Sequence, residues 1–331
     1  MSNATLTAKL LSGDLITLEA STPKEFCQKY LETYVKEKFR PFTTVHWEEE
    51  TLLVNVHPLP KWVDEKRLDG PRLSVNPSAL PWLENHPEKI SWRWLAKNPN
   101  PAAISLLETQ PNRIDWGLLS SHPAAIHLLE ENLDRVSWTG LSANPAAIHL
   151  LEQNLDKVDW WSLSGNPAAI HLLEQNLDMV DWWSLSGNPA AIHLLEQNLE
   201  EVDKWNLSQN PAALPLLEKN PKMMLWDYFS RYCPSIDFLE ANLDKVDWNT
   251  LCCNPVALPL LEKNLDKVDW ECLSMNPAAI HLLEANLDKV DDYNLSSNPS
   301  ALHLLEANPH LIVWDVLSAN PGLFCPPLDD F

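Results

Sequence analysis

Glycine and positive charge are both scarce in this sequence. Seven glycines among 331 residues, against roughly 7% in average proteins, leave no material for a Gly-rich phosphate loop or a dinucleotide fingerprint. Lys and Arg total 24 against 46 Asp and Glu, a net charge of −22. That balance disfavours nucleic-acid backbones and anionic membranes as partners. No apolar run reaches the roughly 18 residues of a membrane-spanning helix, and the N-terminus does not read as a secretory signal. The expectation is therefore a chain outside the secretory path. Cysteine is sparse as well: Cys27, Cys233, Cys252, Cys253, Cys272 and Cys325 are too few for a disulfide framework in so long a chain, and reduced thiols are expected.

Proline is abundant, with 27 copies, and its spacing carries the architecture. It recurs at 101, 123, 145, 167, 189 and 211, then at 255, 277, 299 and 321, a period of 22 residues. Cys233 stands where one proline is due, and Ile236, Leu239 and Glu240 keep the register. Upstream, Pro77 and Pro99 share the period, and a two-residue insertion shifts the phase to Pro101. Eleven repeats follow from 77 onward, ending in a truncated stub at Pro321.

Each repeat spells two short helices. Asn followed by Pro is an N-cap and the helical position that best tolerates proline. With that proline numbered zero, positions +1, +2, +3, +5 and +6 form an apolar face, and His at +4 with Glu at +7 the opposite one. Asn154 and its equivalents at +9 are placed to close this helix in a left-handed conformation. Asp159 is a second N-cap, and Trp160 and Leu163 share one face of a second helix, for which some 3₁₀ character is expected. Neither helix buries its apolar face alone, so the repeats must stack. The predicted fold is mostly α, an α-solenoid of about eleven two-helix repeats over 77–320. At about 10 Å per repeat, eleven repeats imply a curved rod on the order of 100 Å long, followed by a C-terminal cap or tail at 321–331.

The first 57 residues differ. Segments 5–10 and 15–19 read as strands about Ser12-Gly13-Asp14, 23–36 as a helix capped by Thr22, and 43–47 with 52–56 as a second strand pair. The order resembles a ubiquitin-like β-grasp domain, and LLSGDLITLEAS (10–21) resembles the first hairpin of that fold. Residues 58–76, with Pro58, Pro60, Gly70 and Pro71, read as a linker.

The repeat resembles tandem arrays of large nucleocytoplasmic DNA viruses built on NPxAIxLLExNxDKxxWxxLS. NPAAIHLLEANLDKV (276–290) and NPVALPLLEKNLDKVDW (254–270) carry the likeness. It implies an interaction or virion protein, such as a minor capsid component, in host cytoplasm or virion. An adaptor that engages host proteins is the alternative.

The repeated positions are weighed as sites in turn. A histidine ladder (His127, His149, His171, His193, His281, His303) spaces its rings about one helix diameter apart, ~10 Å, too far to share a metal ion. Proline replaces it at 81, 215 and 259, and a solvated face is expected. Cys252 and Cys253 are adjacent, without metal-ligand spacing. No cofactor or metal is expected, and no enzyme, because catalysis needs groups that converge at one point. Tryptophan at +15 (Trp92, Trp116, Trp138, Trp160, Trp182, Trp226, Trp248, Trp270, Trp314) is assigned to the core. Lys204 and Asp292 break that ladder, with Trp205 and Tyr293 one position later available to refill it. Position +16 varies from Arg93 and Gly117 to Asp227 and Asp315, as an exposed site would. Three consecutive copies nevertheless carry Trp161, Trp183 and Trp205, which are the candidate partner-binding residues. The expected function is a non-catalytic protein–protein interaction scaffold.

Overall fold

A computed structural model describes residues 59–324 in full, together with the backbone of the strands at 4–10, 15–20, 42–47 and 50–52. The protein is mostly helical, with regularly repeating helix pairs. It forms two compact units: Trp116–Ala301, and Met1–Asp115 joined with Leu302–Phe331.

One copy from the first of these units shows how the sequence builds a repeat. Asn144 is extended (φ −83°, ψ 113°), and its side-chain oxygen accepts from the Ala146 N–H. Proline at the next position forgoes an N–H that would have no partner. Pro145–Ala147 is a 3₁₀ turn that runs into the α-helix Ile148–Glu152. Ala147 and Leu151 are fully buried; the small side chain at 147 leaves room for the neighbouring repeat. Asn154 then closes the helix, with its backbone N–H on the Leu151 carbonyl at 3.1 Å and its amide on Leu150 at 2.9 Å. Its φ is −138°, so the expected left-handed closure does not occur: the side-chain amide satisfies the carbonyl that such a closure would otherwise serve. A second 3₁₀ turn, Leu155–Lys157, leads to Asp159, which caps the α-helix Trp160–Ser164 by accepting from the Ser162 N–H at 2.8 Å. The 3₁₀ character therefore lies before each α-helix, not within the second one.

Stacking is fastened by two buried polar residues. Ser142 Oγ accepts the Asp159 N–H of the next repeat at 3.0 Å, and Ser164 Oγ accepts that of Asp181 at 2.9 Å. Ser164 also donates to the Trp160 carbonyl at 2.7 Å. Asn166 caps Ala168 and donates to the Ser142 carbonyl of the repeat before it at 3.0 Å. Each asparagine thus serves one repeat with its oxygen and another with its nitrogen. At the two-residue insertion the asparagine is doubled. Asn98 accepts the Asn100 N–H and donates to the Ser74 and Asn76 carbonyls, while Asn100 caps Ala102 and donates to the Pro77 carbonyl.

The unit that combines the chain's two end segments corrects two expectations. Residues 64–76 are no linker; they are the second half of a repeat. Glu65–Arg67 is the 3₁₀ turn, Asp69 the cap, Gly70–Val75 the helix, and Leu73 and Ser74 are fully buried. Gly70 stands where other copies have tryptophan, and a Cβ there would lie 2.5 Å from the Lys89 carbonyl oxygen. This half-repeat is stacked on the last repeat by the same bonds. The Asp69 N–H donates to Ser318 Oγ at 2.8 Å, and the Asn76 amide donates to the carbonyls of Ser318 and Asn320 at 3.2 and 3.0 Å. Arg72 pairs with Asp315 at 3.2 Å. The half-repeat and the last repeat are therefore neighbours. Of the C-terminal 321–331, Pro321–Phe324 is a 3₁₀ turn with Leu323 and Phe324 buried; the remainder lies outside the described residues.

In the same unit, strands β1 (Ala4–Leu10), β2 (Leu15–Ala20), β3 (Phe42–Trp47) and β4 (Glu50–Leu52) form a sheet in the order β2-β1-β3-β4. All its pairings are antiparallel. This gives the β-grasp reading no support, because a β-grasp sets its last strand beside the first and parallel to it. The helix expected at 23–36 lies outside the described residues.

Candidate partner-binding surface

Positions +15 and +16 open the second helix, which an aspartate caps in repeats such as those of Asp159, Asp181 and Asp203, and they leave it about 100° apart. Trp160 and Trp161 accordingly face different surroundings. All nine +15 tryptophans are half-buried, which corrects their assignment to the core. Over seven of the nine, position +12 of the next repeat sets a cation against the indole. Arg113 lies over Trp92 at 5.3 Å, Arg135 over Trp116 at 4.4 Å, Lys157 over Trp138 at 4.9 Å and Lys245 over Trp226 at 5.8 Å. Lys267 lies over Trp248 at 4.4 Å and Lys289 over Trp270 at 4.7 Å; Arg67 of the half-repeat covers Trp314 at 4.6 Å. Such a contact keeps the charge hydrated while the indole loses only part of its exposure.

Position +16 faces outward. Trp161, Trp183 and Trp205 are 56, 47 and 39% exposed. The structure brings all three together: Trp161 and Trp183 stack at 6.2 Å and 17°, Trp183 and Trp205 at 6.0 Å and 13°. Tyr228, at +17 of the following copy, extends the row with an edge contact to Trp205 at 5.5 Å, a member that sequence reasoning missed. Neither Trp205 nor Tyr293 refills the gap left by Lys204 or Asp292, since both are exposed.

The other repeated polar residues have structural partners. His149, His171, His193 and His281 each meet a glutamate of the preceding repeat, Glu130, Glu152, Glu174 and Glu262, at 2.6–2.8 Å. Where proline replaces the histidine at 215 and 259, lysine four residues on takes over the glutamate: Lys219 holds Glu196 at 2.6 Å and Lys263 holds Glu240 at 3.3 Å. Cys252 occupies a ladder-serine position, donating to the Trp248 carbonyl and accepting the Asp269 N–H. Burial pushes its thiol up to about 11, and burial with a bond to Cys253 pushes Cys272 up to about 12. Neither is an activated nucleophile. Among the described residues no group of three or more His, Cys, Asp or Glu is placed to hold a metal ion, and no helix is long and apolar enough to cross a membrane. Compared with family models, with curated proteins and with solved structures, the chain gives no match.

Proposed function

We propose that this protein is a non-catalytic interaction scaffold and that its docking surface is the row Trp161, Trp183, Trp205 and Tyr228. The observation that carries this reading is the stacking of three exposed tryptophans on consecutive repeats. The fold does not require an aromatic at +16, since other copies place Gly117, Asn249 or Glu271 there. Rigid aromatic side chains already aligned by mutual stacking lose little entropy on binding and rank among the strongest interface anchors. The likeness of the repeat to arrays of large DNA viruses extends the proposal to a virion or minor capsid component in the host cytoplasm or the particle. The alternative, an adaptor for host proteins, differs in what is bound.

The test is a pull-down, read by mass spectrometry, with the wild-type chain and the W161S/W183S/W205S variant as baits. A protein retained by the first and lost by the folded variant supports the proposal. Equal retention of every protein by both baits overturns it. The identity of the retained protein, viral or host, separates the two versions.

A further inference from the structure

Seven of the nine ladder tryptophans carry a cation from the adjoining repeat over the ring. The two that do not are Trp160 and Trp182. The +12 position facing Trp160 holds Met179, and the one facing Trp182 holds Glu201. Among the described residues no cation lies over either ring. Those same two helices carry Trp161 and Trp183, the first rungs of the exposed row. The chain thus sets no cation of its own over these two rings, on the helices that carry Trp161 and Trp183, and at one of them it has reversed the sign of the charge. A carboxylate is repelled by the negative face of an indole. Glu201 is exposed, so it is free to pair with a cation brought by another molecule.

We propose that the occupant of this surface is an extended protein segment bearing arginine or lysine, whose cationic side chains take the seats over Trp160 and Trp182. This names the partner chemistry of the surface proposed above and rests on that reading. The geometry of the occupied seats, with cations 4.4–5.8 Å from the ring centroid, shows what an incoming guanidinium or ammonium would reproduce. Glu201 would supply a charge-assisted bond that the internal seats lack. The net charge of −22 speeds the approach of a basic segment and repels nucleic acid.

The probe is a short synthetic peptide of alternating arginine and serine, with a glutamine-for-arginine peptide as control, titrated by calorimetry at physiological ionic strength. The informative variant is M179K/E201K, which gives both seats the lysine found at the same place in other copies. Because that variant also raises the net charge, D266K/Q153K makes the same charge change at exposed positions elsewhere. The wild type and D266K/Q153K should bind the arginine peptide alike, and M179K/E201K about tenfold more weakly, the scale of two cation–π contacts; the glutamine peptide should not bind. No binding by the wild type overturns the inference, as does equal weakening in both variants, or a short single-stranded oligonucleotide that binds more tightly than the peptide. If W161S/W183S abolishes binding while M179K/E201K does not, the aromatic row is the docking surface and the cation seats are not part of it.

Discussion

Trp160 and Trp161 are adjacent in sequence, yet different forces act on them. Trp160 is half-buried, so W160A should cost about 2 kcal/mol, below the range of a fully buried tryptophan. W161S/W183S removes two ring stackings at the surface and should cost about 1–2 kcal/mol in total; thermal melts of both variants check the order. The 100° step between the two positions was legible from the short-helix pattern, and chemical scatter at +16 identified the exposed side. The half-burial of the ladder tryptophans was not legible, because for seven of the nine the group over the ring is a cation from the next repeat. Cys252 gives a second residue-scale test. Its ordinary value is 9.0 and burial raises it to about 11, so the fold favours the neutral thiol. That contribution is complete below pH 9 and is lost as pH rises from 9 toward 11. Denaturant melts across that interval should show a steeper decline for the wild type than for C252S, which restores the ladder serine. Parallel curves would mean that the thiol titrates alike in both states.

Within each helix the asparagine and aspartate caps could be read directly from Asn-Pro and Val-Asp, since a cap bonds only two or three residues away. The second role of the same asparagine could not, because its amide bonds a carbonyl 24 residues back. The ladder serine was equally hidden: Leu-Ser-x-Asn recurs in eight copies, but spacing alone names no acceptor. S164A removes the acceptor of the Asp181 N–H and should cost about 1–3 kcal/mol, as an orphaned buried amide does. Chemical denaturation measures it. Cys252 shows that a thiol can keep both bonds at that position, so S164C should be milder than S164A. Equal losses would indicate that the N–H is satisfied by water instead.

For the molecule as a whole, the 22-residue period disclosed the repeats but not that the first and last of them adjoin. Gly70-Pro71 in place of a tryptophan disguised residues 64–76, although Leu68, Asp69, Leu73, Ser74 and Asn76 keep the repeat's spacing. Asn76 offers a test in solution that uses the two roles of the ladder asparagine. Its oxygen caps Ser78, and its amide nitrogen donates to carbonyls of Ser318 and Asn320, 242 and 244 residues away. Aspartate at this position keeps the cap acceptor and loses the donor. Were the last repeat elsewhere, N76D would be nearly neutral, because an exposed aspartate caps as well as asparagine does. With the last repeat in place, the new carboxylate faces two buried carbonyls, and the cost should reach about 3 kcal/mol or more. N166D, inside the other unit, meets the same carbonyl environment at Ser142 and calibrates the expected loss. Urea melts of N76D and N166D should therefore shift by similar amounts, whereas a wild-type-like N76D beside a destabilised N166D would show that the half-repeat does not rest on the C-terminal repeat in solution.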